Sequence, residues 1–533
     1  MQFDYIIIGA GSAGCHLANR LSENPSCRVL LLEAGSKGNF NIDIPGAYGI
    51  LHRSSVDWAF WTEPQPYVNN RKLFIPRGKV LGGCSSTNAM AYVRGNANDF
   101  NEWASFGNVG WNYNEVLPYF KKSEHHEVFD EPFHSRIGLL NVSFSKNPSL
   151  LSKVFVTACA EKGILPNEDY NGESQLGASM LQFTIKNSKR NSTAVAFLQP
   201  AKMRSNLTIR TKSMVKQIII EDDQAIGVEF FTGSTVTEKI YCHKEVILSA
   251  GAIQSPQILL LSGIGESENL RKVGVDNKLS LPGVGKNLQD HVWTTATNLS
   301  NIPTANNLIK PVNMAKALLQ YLLFKKGPFC NSPIEANAFL KSDRNLNTPD
   351  IQFHFAPLQL GNDYKADLYN IKTIPTNNGF VILAILLHPE SRGFIKLNSK
   401  NPFEPPIIQP NFLQSESDRT TLLKGLKKAM EVADANAFKP YSDGLFHPLR
   451  DASDTALLEH TRKSLETLYH PVGTCKMGND GQSVVNDKLQ LHGIKNLRVI
   501  DASIMPTIIS GNTNATSIMI GEKGADLIKG SVN

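Results

Sequence analysis

Residues 3–14 read FDYIIIGAGSAG, and this stretch decides the fold of the first part of the chain. The apolar run ends at Gly9, and CHLANRL follows at 15–21, a pattern that predicts a strand, a tight turn and a helix. Gly9 permits the turn, Gly11 lets a pyrophosphate approach the backbone, and Gly14 lets the helix pack closely on the strand. The unpaired N–H groups at the start of the helix would face the anion.

A second buried strand, Val29 to Leu32, ends in Glu33, 19 residues beyond Gly14. A carboxylate at the tip of that strand is placed to accept hydrogen bonds from both hydroxyls of a ribose, and it would repel a 2′-phosphate. We therefore expect NAD or FAD rather than NADP. A GxGxxG pattern alone also occurs in glycine-rich loops, so this interpretation depends on the flanking strand, helix and carboxylate.

The composition is that of a globular protein, with 533 residues, 41% of them hydrophobic and 19% charged. This length suits two packed domains or one large one. The formal net charge is only +6. Because the sequence also contains no run of about five or six like charges, nucleic acid is not expected as a partner.

Cysteine usage and the N-terminus bear on the cellular compartment. The seven cysteines are scattered, without a CxxC pair, which argues against a disulfide framework and a zinc site. We expect free thiols in a reducing compartment and no metal. The first residues lack a secretory signal, and the longest apolar stretches are too short for a transmembrane segment. The expected location is cytoplasmic, with at most a peripheral membrane association.

Further motifs lie along most of the chain. Residues 77–88 read RGKVLGGCSSTN and residues 251–265 read GAIQSPQILLLSGIG. Shorter motifs are DW at 57–58, TEP at 62–64, LPGVG at 281–285, NLQDH at 287–291, YHPVGTC at 469–475 and DAS at 501–503. Together they resemble the signatures of the glucose–methanol–choline (GMC) oxidoreductases, a flavoprotein family, and in particular its alcohol and choline dehydrogenase branch. Residues 125–190 and 300–460 lack strong motifs, and in this family those regions form the variable substrate-binding part.

The resemblance implies FAD as the cofactor. Gly82 and Gly83 lie in a loop where backbone could approach a ligand closely, although an ordinary glycine-rich turn has the same pattern. Ser85 and Asn88 offer hydrogen-bonding groups, whereas Val215 is assigned by resemblance alone. The residues expected to contact FAD are Gly9, Gly11, Ser12, Ala13, Gly14, Glu33, Ala34, Arg77, Gly78, Val80, Gly82, Gly83, Ser85, Asn88, Ala89, Met90, Val215, Ala250, Gly251, Asp501, Ala502, Asn512, Thr513 and Asn514.

Two residues in the 77–88 motif depart from the common family pattern. Cys84 stands where serine is frequent, a change that costs little. Family members that attach the flavin covalently in this loop carry a histidine where this chain has Thr87, and a threonine hydroxyl cannot form the same bond. The resemblance therefore implies that FAD is bound non-covalently.

The expected catalytic pair is His470 and Asn512. Taken alone, a histidine before Pro471 is more often a hydrogen-bonded structural residue, but in the family the matching residues face the flavin N5 from the substrate side. Oxidation of an alcohol requires removal of the hydroxyl proton, for which imidazole is suited at neutral pH. We therefore predict His470 as the general base and Asn512 as the residue that orients the substrate oxygen. The helix that follows would present its N-terminus, including the Asn514 N–H, to negative charge on the reduced flavin.

The predicted fold is α/β, with a Rossmann-like parallel sheet in a discontinuous FAD domain and a mainly antiparallel sheet in a substrate domain. Segments 246–251 and 497–501 read as buried strands of the first sheet, and segments 350–355 and 393–397 read as strands of the second. Glu335 could point into the pocket or be an ordinary bonded carboxylate. The predicted FAD domain comprises 1–145, 190–298 and 462–533, and the substrate domain comprises 146–189 and 299–461.

The resulting functional hypothesis is FAD-dependent oxidation of an alcohol to an aldehyde. Non-redox or light-driven chemistry of the hydroxynitrile lyase or fatty acid photodecarboxylase type is the alternative, and the His–Asn pair counts against the photodecarboxylase. The intact pair argues against an inactive FAD-binding scaffold. The sequence leaves open the alcohol, the electron acceptor (oxygen, or a quinone or dye) and the oligomeric state, because fold similarity does not decide among them.

Overall fold

The computed structural model describes residues 2–233, 235–447 and 453–530. Its first sheet has seven strands, and the central ones are buried on both faces, as parallel strands usually are. Phe3–Ile8 pairs in parallel with Val29–Leu32 on one side and with Val236–Leu248 on the other. The remaining strands of this sheet are Leu207–Arg210, Ser213–Glu221, Gln224–Thr232 and Leu497–Val499.

Helices cover the faces of this sheet, and the two that matter for the site come from opposite ends of the chain. Ser12–Leu21 packs directly against Asn514–Gly530. The contact is close because a Cβ at Gly521 would lie 3.0 Å from Ala13 Cα. The other α-helices are Tyr48–Leu51, Ala97–Ser105, Tyr113–Ser123, Leu150–Glu161, Gln199–Ala201, Gly251–Leu261, Ser267–Lys272, Pro311–Phe324, Glu416–Ala433 and Asp454–Ser464.

The second sheet also has seven strands, and all its pairs are antiparallel. Alternate residues point to opposite faces. Phe353 and Phe355 join the core beneath helix Glu416–Ala433, whereas His354 and Ala356 face the cavity described below. The strands of this second sheet are Gly177–Met180, Val292–Ser300, Ala336–Leu340, Ile351–Ala356, Gly379–Leu386, Ser442–His447 and Glu466–Thr467.

The smaller sheets are short. They consist of Phe60–Trp61 with Phe74–Ile75, Glu124–His126 with Leu140–Phe144 and Gln182–Phe183, Ile185–Lys186 with Lys189–Arg190, Ile264–Gly265 with Leu279–Ser280, and Phe394–Lys396 with Ile407–Gln409. All seven cysteines are free thiols. Within the described ranges, every helix is either too short or too polar to cross a membrane.

The predicted fold class is confirmed: a Rossmann-like sheet is combined with a mainly antiparallel one. Two details differ from the expectation. Strand Val292–Ser300 belongs to the second sheet although it begins before the predicted boundary at residue 298, because it pairs along its length with Gly379–Leu386. Segment 393–397 forms its strand in a separate two-stranded sheet and not in the large antiparallel one. The domain boundaries remain a prediction.

Candidate active site

A long cavity runs between the two sheets, and most of the residues predicted as site residues lie on its wall. Four of the predicted residues do not line the cavity and lie behind its wall: Gly14, Val80, Gly82 and Ser85. The predicted residues that line it are Gly9, Gly11, Ser12, Ala13, Glu33, Ala34, Arg77, Gly78, Gly83, Asn88, Ala89, Met90, Val215, Ala250, Gly251, His470, Asp501, Ala502, Asn512, Thr513 and Asn514.

The glycines of the first turn have the geometry that the fingerprint requires. Gly9 has φ +96°, in the left-handed region that favours glycine. A Cβ at Gly14 would lie 1.9 Å from the Gly9 carbonyl oxygen, so only glycine lets the helix pack this closely. At Gly11 the nearest atom to such a Cβ is 3.9 Å away, which leaves open space on the cavity side. The turn can therefore admit a ligand against its backbone.

Two helix N-termini meet at this part of the cavity. Helix Ser12–Leu21 begins beside helix Asn514–Gly530, and Ser12 Oγ donates a hydrogen bond to Asn514 Oδ1 at 2.6 Å. Each N-terminus carries unpaired backbone N–H groups and partial positive charge. Together they form a region suited to anionic groups.

Glu33 is buried at the tip of strand Val29–Leu32 and lines the cavity. Its Oε2 accepts a hydrogen bond from the Ala10 N–H at 2.9 Å, and its Oε1 accepts one from the Gly35 N–H at 2.8 Å. Each oxygen keeps a second acceptor site. Burial raises the pKa of the carboxyl to about 7, although both backbone amides lower it.

The loop at 77–90 is held tightly against the first turn. A Cβ at Gly83 would lie 2.7 Å from Gly11 Cα, so the two glycines allow the two backbones to touch. Ser85 Oγ donates to the Gly82 carbonyl at 2.6 Å and is itself a partner of Thr193. Its hydroxyl is therefore used inside the protein and does not reach the cavity. Thr87, by contrast, lines the cavity.

Asp501 joins two strand ends of the first sheet at the cavity wall. Its Oδ2 accepts hydrogen bonds from the Gly251 N–H at 2.8 Å and from Ser255 Oγ at 2.6 Å. Its Oδ1 accepts from the Ser503 N–H at 2.8 Å. The carboxylate thus fixes the loops after strands Val236–Leu248 and Leu497–Val499.

His470 and Asn512 lie side by side on the cavity wall, 3.3 Å apart between His470 Nε2 and Asn512 Nδ2. His470 Nδ1 is 3.0 Å from His291 Nδ1, and His291 Nε2 is 3.0 Å from the Leu387 carbonyl oxygen. A carbonyl only accepts, so His291 Nε2 carries a proton and, in a neutral ring, His291 Nδ1 accepts. His470 must then donate through Nδ1, so its Nε2 is the acceptor nitrogen, and the Asn512 Nδ2 amide donates to it.

Burial keeps both histidines neutral. It lowers the pKa of His470 well below its ordinary value of 6.5, and neighbouring His291 and Arg77 lower it further. The pKa of His291 is lowered to about 3 for the same main reason. The tautomers deduced above therefore apply at neutral pH, where a neutral His470 can accept a proton.

Asp290 fixes the backbone that carries His470. Its Oδ1 accepts the His470 N–H at 2.7 Å, and its Oδ2 accepts a hydrogen bond from Thr467 Oγ1. The preceding residue, Tyr469, has φ +67°, a strained conformation for a bulky side chain. Such strain is maintained where the surrounding contacts determine the backbone, and here it aims the imidazole at Asn512.

Two neighbours of the pair were not among the predicted site residues. His291 lies in the motif at 287–291, but its contact with His470 could not be predicted from that motif. The proton on its ring is fixed by the carbonyl of Leu387, which is distant in the sequence. His354 lines the cavity beside Asn512, and burial lowers its pKa to about 4. A histidine in the otherwise apolar strand Ile351–Ala356 is the signal that could have identified it. Glu335, left open above, is a bonded carboxylate: it accepts from Ser152 Oγ at 2.7 Å and does not line the cavity.

The part of the cavity below the second sheet has an apolar wall. Within the described ranges, the only carboxylates on the wall are Glu33 and Asp501, both at the first sheet. The aromatic members of this part include Tyr48, Trp293 and Tyr469. Its aliphatic lining comprises Met90, Pro333, Ile334, Ala356, Leu358, Leu360, Leu368, Val381, Leu383 and Leu468.

A buried cluster of Glu124, His126 and His134 has the spacing of metal ligands but the hydrogen bonds of an ion-pair network. Glu124 pairs with Arg94 and with His134 Nδ1 at 2.7 Å. His126 Nδ1 accepts the N–H groups of residues 128 and 129, so its other nitrogen carries the proton in the neutral ring. A nitrogen that carries a proton cannot ligate a metal.

Comparison with known proteins matches the chain to one family. The family model described as GMC oxidoreductase matches residues 3–293 with its N-terminal part and residues 389–521 with its C-terminal part. The chain is 40% identical to the alcohol dehydrogenase [acceptor] of Pseudomonas putida over 99% of this chain and 96% of that protein. It is 38% identical to human mitochondrial choline dehydrogenase over 99% of this chain and 90% of that protein.

Solved structures agree. Pyridoxine 4-oxidase from Mesorbium loti superposes with a TM-score of 0.90 at 29% identity, covering 98% of this chain and 99% of that one. A variant of formate oxidase from Aspergillus oryzae superposes with a TM-score of 0.91 at 26% identity, covering 99% and 98%. The matches to the family model and the relatives over the full length place this chain among the GMC oxidoreductases, a family of FAD-dependent enzymes.

Proposed function

We propose that this enzyme oxidises an uncharged, largely apolar primary alcohol to the aldehyde, with His470 as the general base and Asn512 orienting the substrate oxygen. The acceptor Nε2 of His470, which lies on the cavity wall and accepts from the Asn512 amide at 3.3 Å, carries this proposal. A neutral imidazole with an unprotonated nitrogen on the cavity wall accepts a hydroxyl proton once a substrate hydroxyl replaces the Asn512 amide as the donor to that nitrogen.

The wall residues fit FAD. The acceptor sites left on Glu33 suit the two ribose hydroxyls, the open space at Gly11 suits the pyrophosphate, and Asn512 Oδ1 is buried without a partner. When bound, FAD supplies a two-electron acceptor for the hydride of the alcohol α-carbon. The cofactor would be held by residues Gly9 to Ala13, Glu33, the 77–90 loop, Val215, Ala250, Gly251 and 501–514.

The protein's own contribution is to move one proton and to orient one oxygen. His470 Nε2 accepts the hydroxyl proton, and the hydrogen bond from its Nδ1–H to His291 keeps the ring in the orientation that presents Nε2. The Asn512 amide donates to the substrate oxygen, a role that requires no change of charge. His291 is therefore a positioning residue, since it acts through His470.

The substrate class follows from the wall below the second sheet. Choline carries a permanent positive charge, which in a buried site needs a carboxylate or an aromatic cage. The carboxylates of the described wall lie at the first sheet, where they hold backbone groups. Aromatic side chains also line the part of the wall opposite, but its ten aliphatic residues predominate and favour an uncharged alcohol with an apolar chain.

The test is anaerobic mixing of the enzyme with a primary alcohol, followed by the flavin absorbance. We expect His470→Ala to slow flavin reduction by about 10²–10⁴-fold, while the flavin spectrum and content stay unchanged. Because the pKa of His470 is held well below 6.5, the wild-type rate should be constant around neutral pH and fall only in more acidic solution, where the ring is protonated. His243→Ala, at an exposed histidine, is the matched control.

A wild-type rate in His470→Ala would remove the assignment of the base. An enzyme that no alcohol reduces, but that cleaves a cyanohydrin or decarboxylates a fatty acid under blue light, would replace the redox proposal. If an alcohol does reduce the wild-type flavin, adding oxygen or a quinone to the reduced enzyme identifies the electron acceptor.

We also propose that FAD is held without a covalent bond, because Thr87 lies on the cavity wall where covalent relatives carry histidine. Denaturation with acid should release the flavin into the supernatant. Flavin that remains with the precipitated protein would contradict this, and peptide mapping would then locate the attachment residue.

A further inference from the structure

Helix Pro311–Phe324, here called the outer helix, directs its apolar side away from the protein. Val312 is 79% exposed, Leu319 57%, Leu323 63% and Phe324 66%. An ordinary surface helix buries its apolar stripe and exposes polar residues. A contiguous exposed apolar patch of this kind marks an interaction surface.

The orientation of the outer helix is fixed by only two buried side chains. Ala317 and Tyr321, four residues apart, lie on the face that contacts the protein, and Tyr321 Oη donates to the Ser188 carbonyl at 3.1 Å. At 100° per residue, Leu319 lies almost opposite that face, with Val312 and Leu323 close beside it. The arrangement of polar and apolar faces is therefore the reverse of a core-facing helix.

The chain segment that contains the outer helix has charge of one sign. The sequence from residue 291 to residue 334 contains no aspartate or glutamate, and it carries Lys310, Lys316, Lys325 and Lys326. Asp43 is an acidic neighbour of Tyr321, and it lies 3.8 Å from Lys189 Nζ in an ion pair. A rim of lysines around an apolar face complements a surface that is apolar inside and anionic outside.

The outer helix also lies on two segments that wall the cavity. Tyr321 packs with Ile44, Ala47 and Cys330 in one buried cluster. The chain runs from there directly to wall residues, Tyr48 on one side and Pro333 on the other. Ile50, two residues beyond Tyr48, is itself 55% exposed. The apolar patch and the apolar part of the cavity are thus neighbours.

We propose that the outer helix docks this enzyme onto an anionic lipid surface, lying in the plane of the interface, so that an apolar alcohol reaches the cavity from the lipid. Its 14 residues extend about 21 Å, which is too short to span a bilayer and suitable for an interfacial helix. Docking rests on the helix alone, whereas the delivery of the alcohol also rests on the function proposed above.

The same face suits a second copy of the chain less well. In a two-fold dimer each patch meets its own copy. The lysines of one copy would then face the lysines of the other, and like charges at an interface oppose binding. An anionic lipid surface instead attracts the exposed Lys310, Lys316 and Lys326, whereas Lys325 lies over the ring of Tyr321.

The experiment is co-sedimentation of the FAD-loaded enzyme with vesicles of phosphatidylcholine mixed with phosphatidylglycerol, and with vesicles of phosphatidylcholine alone. We expect binding to the mixed vesicles to be at least about tenfold tighter. The double variant Leu319→Glu with Leu323→Glu should bind them at least about a hundredfold more weakly. The matched control is Leu165→Glu with Met203→Glu, at side chains that are 72% and 85% exposed elsewhere on the surface.

Failure to sediment with the mixed vesicles, or equal loss of binding in the control variant, would overturn the proposal. A wild type that is dimeric and does not bind vesicles, with a monomeric Leu319→Glu, Leu323→Glu variant, would assign the face to a second copy instead. The variant should oxidise a short, water-soluble alcohol at the wild-type rate. Vesicle binding without oxidation of any alcohol would refute the proposed function and leave the docking intact. Oxidation of an alcohol without vesicle binding would refute the docking and leave the proposed function intact.

Discussion

At the scale of single residues, the position of the proton on the His470 ring is set by groups that are distant from it in the sequence. The Leu387 carbonyl fixes the proton of His291, and His291 fixes the proton of His470. The resemblance to the family predicted that His470 and Asn512 would lie together, and both are on the cavity wall. The tautomer could not be predicted, because it depends on a carbonyl at the end of a strand of the second sheet.

Glu33 offers a test of how the ribose is held. Its carboxylate keeps one acceptor site on each oxygen, and each charge-assisted hydrogen bond there contributes about 1.5–3 kcal/mol. Glu33→Gln should therefore weaken FAD binding by at least about tenfold. The wild-type FAD affinity should also fall as the pH drops below about 7, the pKa to which burial raises this carboxyl, because protonation removes an acceptor that FAD requires.

The pH profile separates a ribose contact from a merely structural effect. In Glu33→Gln one of the two backbone N–H donors, from Ala10 or Gly35, faces an amide NH₂ group, so part of the loss comes from the loop. A variant with a neutral side chain has nothing to titrate there. If equilibrium titration with FAD shows the same pH dependence in both proteins, the ribose contact lies elsewhere.

At the scale of secondary-structure elements, the first turn depends on the closeness of strand Phe3–Ile8 and helix Ser12–Leu21. Replacing a helical glycine by alanine usually gains about 1 kcal/mol from helix propensity. At Gly14 the new methyl group would lie 1.9 Å from the Gly9 carbonyl oxygen, so the helix must move away from the strand. We expect Gly14→Ala to lower the free energy of unfolding by at least about 2 kcal/mol and to reduce bound FAD.

Urea denaturation and flavin content measure these two effects. Gly481→Ala is the matched control, because a Cβ at Gly481 meets nothing within 4 Å. A Gly14→Ala protein as stable as the control would mean that the fingerprint glycine is not needed for packing.

The elements themselves were predictable to different degrees. The strand, turn and helix at the start follow from a local pattern of apolar residues and glycines. The segment 393–397 has the alternation of a strand, and it forms one, but alternation does not say which strand pairs with it. Its partner is the nearby Ile407–Gln409. Likewise, Val292–Ser300 could not be assigned to a sheet from its own residues, because its partner lies about 90 residues away.

At the scale of the whole molecule, the cavity has one wall from each large sheet, and the proposed function assigns the cofactor to the first and the substrate to the second. The aliphatic wall under the second sheet predicts a graded response to alcohol length. Each buried methylene contributes about 0.8 kcal/mol, so kcat/KM should rise about fourfold per methylene from butanol towards octanol. Choline should be the poorest substrate of the set.

Anaerobic flavin reduction across this series tests the assignment of the substrate class. A kcat/KM that does not depend on chain length would show that the alkyl chain stays in water. A preference for choline over octanol would place a cation-binding group at the wall and would refute the apolar assignment, while leaving His470 and Asn512 in their roles.

Early and late segments of the chain are neighbours in the fold, so the first sheet is completed only near the end of synthesis. Strand Phe3–Ile8 pairs with Val236–Leu248, which in turn pairs with Leu497–Val499, and helix Ser12–Leu21 packs on helix Asn514–Gly530. At about 5–20 residues per second, the ribosome needs roughly 25–100 s to deliver the last of these elements after the first. During that interval the nascent chain exposes the apolar edge of an unfinished sheet, and the cavity lacks the segment that carries Asn512. We therefore expect flavin capture to be a late event, because the segment that carries Asn512 is among the last to be synthesised.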